Sequence, residues 1–338
     1  MGLESIGANR VVDSRARAAG FAPFGHLLSS ASAVRRDSAI SALNGLLGDH
    51  LRRIGHPLAR GMQLRCGDDW LVGDGAVPPR PNVRPQVIVL VHSICESDRS
   101  WRREGFDTGQ ALQRATGATV LLARFNSGLP VPANGLALAQ ALDAVLARWP
   151  VELQSVSIVG HGQGGLVARA ATHAATRMAW RRDLRHLVFI ATPHFGLPLE
   201  HAGHWVHRVL DLCPYAGPFA RLSELRSPGL IDMQQGRVLA DDGLAYLGLD
   251  LHDGASPLPL PADVHCCAVA STIGGPLIEG SRDGDGLVPL SSALGDHPDA
   301  RRALGIADHD RWVGEGLQHL QLLAHPPLIE PLRRWLAA

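Results

Sequence analysis

The sequence predicts an α/β protein built on a doubly wound, mostly parallel sheet. Short apolar runs rich in β-branched residues recur from residue 87 onward, and helical stretches lie between them. A glycine-rich turn also joins one of these runs directly to a helix. The chain has 338 residues, of which 46% are hydrophobic and 19% charged. This length and composition suit one large α/β domain with extensions.

Residues 1–84 are predicted to form a helical extension and a linker. Apolar residues recur at three- and four-residue intervals over residues 38–51, which predicts an amphipathic helix capped by Asp37 or Ser38. Residues 70–72 predict a short strand. Four prolines between residues 78 and 85 mark a stiff linker. The main domain is therefore expected to cover residues 85–338.

Strands and helices alternate in the main domain. Strands are predicted at residues 87–91, 119–123, 155–159, 187–191 and 264–270, and helices at residues 108–115, 134–149, 166–180 and 327–336. The span of about residues 196–260 is rich in Pro, Gly and His and interrupts this alternation. It predicts an inserted lid that covers an apolar pocket.

Composition excludes several classes of function. The 32 cationic residues are all Arg and balance 32 acidic ones, so the formal net charge is zero. Without Lys, the chain has neither a Walker A loop nor a pyridoxal Schiff base, and no cofactor is expected. Without a basic tract, no nucleic-acid partner is expected. No apolar run is long enough to span a bilayer. The five cysteines are odd in number and lack a paired spacing, which predicts free thiols and a cytoplasmic location.

The segment around Gly162 has the pattern of a nucleophile elbow. A β-branched strand runs into Gly160, His161, Gly162, Gln163 and Gly164, and a helix follows. In the Gly-x-Ser-x-Gly elbow, glycines let strand and helix pass closely, and amides at the helix start face a developing oxyanion. The central residue here is Gly162, which cannot attack a carbonyl. The last glycine is wrongly spaced for a dinucleotide-binding loop.

Three further blocks complete a family resemblance. They are residues 91–95 (Val-His-Ser-Ile-Cys), 285–289 (Asp-Gly-Leu-Val-Pro) and 318–320 (Gln-His-Leu). With the elbow, they follow the order nucleophile, acid, histidine. From about residue 87 the chain resembles a bacterial α/β-hydrolase of the lipase and esterase type, similar to GPI-inositol-deacylase-like proteins. The run of residues 41–49 resembles an N-terminal segment of some bacterial members.

The resemblance implies a role for each matched residue. Asp285 is the expected acid, with Asp283 as the second candidate, and His319 is the expected general base. The backbone N–H groups of Ile94 and Gln163 are the expected oxyanion hole. Substrate contacts are expected from His92, Ser93 and His161. Ser93 stands where the family usually carries Gly.

Structural interpretations compete with these roles. Residues 283–286 also suit a solvated turn, and His319 is one of 17 histidines. His201, His204 and His207 recur at helical spacing, but no acid or thiol completes a ligand set, so no metal is expected.

The predicted function is that of a serine-hydrolase-lineage esterase or lipase acting on a small-molecule or lipid-like apolar ester. Gly162 predicts that the elbow itself is inactive and takes up no fluorophosphonate probe. Two alternatives stay open: an acid–base lyase, isomerase or cyclase using His319 and Asp285, and a binding pseudoenzyme. Ser93 or Cys95 acting as a displaced nucleophile is a further alternative.

Overall fold

The computed structural model describes residues 32–71, 83–197, 227–239, 258–274 and 284–337. Ten strands lie in these ranges: β1 Gln63–Cys66, β2 Asp69–Leu71, β3 Gln86–Val91, β4 Arg102–Arg103, β5 Phe106–Asp107, β6 Thr119–Arg124, β7 Ser155–His161, β8 Leu184–Ile190, β9 His265–Thr272 and β10 Arg311–Glu315. The α-helices of the same ranges are α1 Ala33–Arg53, α2 Thr108–Thr116, α3 Val131–Leu146, α4 Gln163–Ala174, α5 Pro228–Gln235, α6 Leu290–Leu294 and α7 Ile329–Leu336.

Eight of these strands form one sheet in the order β10-β9-β8-β7-β3-β6-β1-β2. The six strands from β10 to β6 are parallel to one another. β1 and β2 add an antiparallel hairpin to β6 at one edge. Strands β4 and β5 form a separate small hairpin. The predicted mostly parallel sheet is confirmed.

Helices cover both faces of the sheet, as the apolar pattern of the central strand requires. Val87, Val89 and Val91 of β3 point into one core, which also holds residues of α1, α3 and α4. Ile88 and Leu90 point into a second core, which α2 and α7 complete. A strand buried on both faces reads as a continuous apolar run, which explains why β3 was predictable from its residues alone.

The described part of the predicted N-terminal extension shares this sheet and core. α1 begins at Ala33, where the Ser32 side chain caps it by accepting from the Arg35 N–H, so the helix starts before the predicted caps. Asp37 instead forms an ion pair with Arg60 at 2.6 Å. Residues 78–82 of the predicted linker lie outside the described residues, and residues 83–85 lead into β3. Because β1 and β2 extend the main sheet, residues 33–71 are structurally continuous with it.

The predicted lid falls largely outside the described residues, as do His201, His204 and His207. The longest described stretch within its range, residues 227–239, contains α5. Leu230 and Met233 of α5 are fully buried in the first core. The Asp232 carboxylate accepts a hydrogen bond from the Val131 N–H at 2.8 Å. This helix is therefore bound to the body of the domain.

Candidate active site

A strand–turn–helix places Gly162 at the carboxyl end of β7. Gly162 has φ 52° and ψ −121°, a conformation that favours glycine, and α4 begins at the next residue. A Cβ on Gly160 would lie 2.5 Å from Gly165 backbone atoms, and one on Gly164 would lie 2.2 Å from the Val91 carbonyl oxygen. Both glycines are needed because the helix passes so close to β7 and β3. The predicted elbow geometry is present.

Asp285 and His319 form a buried pair. His319 Nδ1 lies 2.7 Å from Asp285 Oδ2, and both side chains are 2% exposed. The other carboxylate oxygen, Oδ1, accepts the N–H groups of Leu287 at 2.9 Å and Val288 at 2.7 Å. Because the carboxylate is held on both oxygens, it fixes Nδ1 of the imidazole as the protonated nitrogen. Asp283 lies outside the described residues.

The other imidazole nitrogen is free to act. His319 Nε2 is buried and has no hydrogen-bond partner among the described residues. Burial opposes a charge on this ring, but the Asp285 charge and hydrogen bond outweigh burial and raise the pKa of His319 above its ordinary value. A neutral His319 therefore presents an acceptor lone pair at Nε2 and holds a transferred proton well.

The Ser93 hydroxyl fills the space beside Gly162. A Cβ built on Gly162 would lie 2.2 Å from Ser93 Oγ, 2.9 Å from Ser93 Cβ and 3.2 Å from His319 Nε2. Ser93 Oγ also accepts the Gln163 N–H at 3.2 Å. The structure thus brings Ser93, Gly162 and His319 together, although 69 residues separate the first two. A side chain at residue 162 would require Ser93 to move.

Neighbouring groups hold the Ser93 backbone in place. The Ser93 N–H donates to Glu96 Oε2 at 3.1 Å, and the Ser93 carbonyl accepts from His92 Nδ1 at 2.8 Å. His92 Nε2 in turn accepts the Phe125 N–H at 3.3 Å. Since both ring nitrogens of the fully buried His92 bond to the backbone, this residue positions Ser93. Burial lowers the pKa of His92 to about 4, so its ring is neutral.

Glu96 is a site residue that the sequence reasoning missed. Its carboxylate bridges the Ser93 N–H and His161 Nδ1, the latter at 3.3 Å. Burial acts to raise the pKa of Glu96, but its contact with His161 reverses this and lowers the pKa to about 2. The available signal was its place three residues after Ser93 in the same loop.

His161 lies behind the pair of Asp285 and His319. Its ring centroid is 4.5 Å from that of His319, and its Nε2 lies 3.3 Å from the His319 carbonyl oxygen. Burial, followed by the charge of His319, lowers the pKa of His161. Since its two nitrogens face Glu96 and a backbone carbonyl, His161 supports His319 and offers no nitrogen to a substrate.

The two backbone amides predicted to form the oxyanion hole belong to the residues that follow Gly162 and Ser93 in the chain. One is the N–H of Gln163. The Gln163 side chain is anchored because its Nε2 donates to the Gly229 carbonyl oxygen at 2.7 Å. The other is the Ile94 N–H, which has no acceptor among the residues that the structure describes. Cys95 has φ 60°, and its Sγ packs toward α1 at Gly45. Its sulfur is thus directed away from the elbow.

Within the described ranges, one cluster of three side chains has ligand atoms close enough together to hold a metal ion. The ligand atoms of His265, Cys267 and Asp310 lie within 4.8 Å of one another. His265 and Cys267 are at the amino end of β9, whereas the elbow lies at the carboxyl ends of the strands. His265 already pairs with Asp310 at 2.8 Å, and burial raises the pKa of the Cys267 thiol. This cluster therefore lies apart from the candidate active site, and its cysteine is a protonated thiol at neutral pH.

One protein-family model matches part of the chain. The family model described as "PGAP1-like alpha/beta domain" matches residues 138–211, a stretch that contains the elbow. No curated protein matches the chain significantly.

Several solved structures resemble the fold at low identity. The Bacillus licheniformis lipase BlEst2 in mature form is 18% identical over 80% of this chain and 97% of its own, with a TM-score of 0.49. An esterase from Pyrobaculum calidifontis is 18% identical over 77% of this chain and 76% of its own, with a TM-score of 0.43. A lipase-esterase related protein from Clostridium acetobutylicum is 10% identical over 74% and 94%, with a TM-score of 0.41.

The fold is that of an α/β-hydrolase. The mostly parallel eight-stranded sheet, the helices on both its faces and the strand–turn–helix at Gly162 establish this within the chain itself. Among the described helices, none combines the length and the apolar character needed to cross a bilayer.

Proposed function

We propose that this chain belongs to the serine-hydrolase lineage and that its site is arranged to hydrolyse a carboxylic ester. In this proposal, Asp285 orients His319, and His319 is the general base and then the general acid. The observation that carries the proposal is the buried 2.7 Å contact between Asp285 and His319, with Nε2 directed at the elbow. The elbow residue Gly162 itself contributes no nucleophile.

The proposed substrate is an apolar ester of a small molecule or lipid. Ile94 follows Ser93 in the chain and Leu320 follows His319, and both are buried apolar residues. A carboxylate or an ammonium group beside them would lose its hydration without a charged partner, which is costly. An uncharged acyl chain loses nothing comparable.

The experiment restores the usual elbow. Gly162→Ser alone places a Cβ 2.2 Å from Ser93 Oγ, so we expect that single variant to be destabilised and poorly active. Combining Gly162→Ser with Ser93→Gly removes this clash. The residue at 162 adopts a strained conformation at a cost of about 1–3 kcal/mol. We expect the double variant to fold and to hydrolyse p-nitrophenyl butyrate.

Adding His319→Ala to the double variant should reduce that hydrolysis by about 100-fold or more, since general acid–base catalysis contributes this much. Thermal melting of each variant verifies folding. A double variant that is folded yet inert would contradict the proposed ester chemistry.

A second candidate is a non-hydrolytic protein, either an acid–base lyase, isomerase or cyclase, or a binding pseudoenzyme. Ser93 Oγ favours it, because the hydroxyl occupies the space and takes the Gln163 N–H that an ester carbonyl would use. In that case the folded double variant stays inert toward esters, while His319 still titrates as a base.

A further inference from the structure

A serine hydroxyl lies beside the elbow, on the loop that follows a neighbouring strand. Ser93 follows β3, which lies next to β7 in the sheet, so the ends of the two strands meet at the site. Ser93 Oγ is 2.2 Å from the position where a side chain on residue 162 would begin. We propose that Ser93 is the catalytic nucleophile of this chain. The proposal rests on the proposed ester hydrolysis and names the residue that performs it.

The hydrogen-bond pattern favours transfer of the Ser93 hydroxyl proton to His319 Nε2. His319 Nδ1 is bound to Asp285, so the neutral ring has its lone pair on Nε2, and Nε2 has no partner among the described residues. Ser93 Oγ accepts the Gln163 N–H, which leaves the hydroxyl proton available for donation. Hydroxyl and Nε2 face the same small space beside Gly162. Rotation of the hydroxyl about the Cβ–Oγ bond of Ser93 turns the proton toward this space without moving Oγ.

The loop holds Ser93 as a nucleophile must be held. Its N–H is fixed by Glu96 and its carbonyl by His92, so the backbone cannot shift when Oγ reacts. A hydrogen bond from the Gln163 amide to Oγ stabilises negative charge on that oxygen, which favours the attacking form. Gly162 permits this arrangement because it has no side chain in the space that Ser93 uses.

The reaction balances with an ester and water alone. Ser93 Oγ bonds to the acyl carbon as His319 Nε2 takes the hydroxyl proton. The Gln163 N–H then passes from Oγ to the new oxyanion, which the Ile94 N–H also stabilises in this proposal. The C–O bond to the alcohol breaks, and His319 returns its proton to the departing alkoxide. Water, deprotonated by His319, then attacks the acyl carbon. The bond from that carbon to Ser93 Oγ breaks, His319 returns the proton to Oγ, and the carboxylic acid leaves.

Cys95 is the other nucleophile in this loop, and its placement excludes it. Its Sγ contacts α1 and lies 3.8 Å from the Ala42 carbonyl oxygen. It is packed into the first core with residues of that helix. A thiol held there does not reach the His319 nitrogen.

The test is covalent labelling of the intact wild-type chain with a fluorophosphonate, followed by peptide mapping. We expect one label per chain on Ser93, no label in Ser93→Ala, and labelling at least about 100-fold slower in His319→Ala. Ser100→Ala is the matched control, because this partly exposed serine lies on the same loop and its hydroxyl donates only to the Ser97 carbonyl. Its labelling should equal that of the wild type.

The restored elbow separates this inference from the proposed function. If the folded wild type takes no label while Gly162→Ser with Ser93→Gly is labelled at position 162, Ser93 is not the nucleophile and the ester-hydrolase proposal stands. If neither protein is labelled, both proposals are wrong. A label on Cys95 in the wild type also overturns the assignment of Ser93.

Discussion

At the scale of single residues, the pKa of His319 is set by one carboxylate. Burial disfavours the imidazolium, while the charge and hydrogen bond of Asp285 favour it more strongly. In Asp285→Asn the opposing charge is gone and burial remains. The pKa of His319 should therefore lie above 6.5 in the wild type and fall below it in the variant.

Histidine NMR across a pH titration measures this shift, with His319→Gln identifying the signal. Asp299→Asn is the control, since the Asp299 carboxylate pairs with Arg301 on the surface and does not contact His319. An unchanged His319 pKa in Asp285→Asn would show that Asp285 does not hold the base. Hydrolysis should fall by about 100-fold or more in the same variant.

The pair of Asp285 and His319 was predictable, but the position of Ser93 was not. Order along the chain and local turn chemistry point to the acid and the base. The contact between Ser93 Oγ and the space at Gly162 depends on β3 and β7 being neighbours with matched register. No local pattern reports that distance, so the sequence indicated two departures from the family without showing that they meet.

At the scale of elements, α1 supports the loop that carries the site. A Cβ on Gly45 would lie 2.3 Å from Cys95 Sγ and 2.8 Å from the Cys95 Cα, so the helix contacts the loop directly. This contact explains Gly45, whereas a Cβ on Gly48 would meet the Asn126 side chain. At Gly45 the helix has no side chain of its own to hold the loop away.

Gly45→Ala should therefore destabilise the chain and displace residues 93–95. A backbone contact of 2.8 Å cannot be relieved by side-chain rotation, and overpacking of this kind costs about 1–3 kcal/mol. The free energy of unfolding in urea measures the loss. Gly61→Ala is the matched control, because nothing lies within 4 Å of a Cβ there. The free energy of unfolding of this variant should be unchanged or slightly higher. Equal stability of the two variants would contradict the contact.

The elements missed from the sequence share a physical reason. β1 and β10 have four and five residues and mix polar with apolar side chains. They lie toward the two edges of the sheet, where one face meets water and the apolar run is lost. The central strands are buried on both faces, and their β-branched runs made them predictable. The helix boundaries shifted by several residues because caps such as Ser32 carry weak signals.

At the scale of the whole molecule, buried neutral histidines make the fold sensitive to acid. Burial lowers the pKa of His92 and His186 to about 4, and it also lowers the pKa of His161 and His194. Their contribution to stability is present above pH 6.5 and is lost as the pH falls from 6.5 toward 4, because the unfolded chain binds the protons first. His319 has a raised pKa, so its contribution has the opposite sign and offsets part of the loss.

We expect the free energy of unfolding to be lower at pH 5 than at pH 7.5, with His92 alone accounting for about 2 kcal/mol of the difference. Urea titrations at several pH values measure it. His186→Gln should flatten the dependence, whereas replacement of the exposed His173 by Gln should not alter it. Stability that stayed level or rose on acidification to pH 5 would show that these histidines are not buried neutral.

The hairpin of β1 and β2 also governs the order in which the chain can assemble during synthesis. Residues 63–66 pair with residues 121–124, so their partner emerges from the ribosome more than 50 residues later. Until then, the apolar side of α1, with Leu43, Leu46 and Leu51, has neither sheet nor loop to cover it. Contacts of such sequence separation form slowly because loop closure precedes any gain from packing. The earliest described helix, α1, is thus among the last of the described elements to be buried.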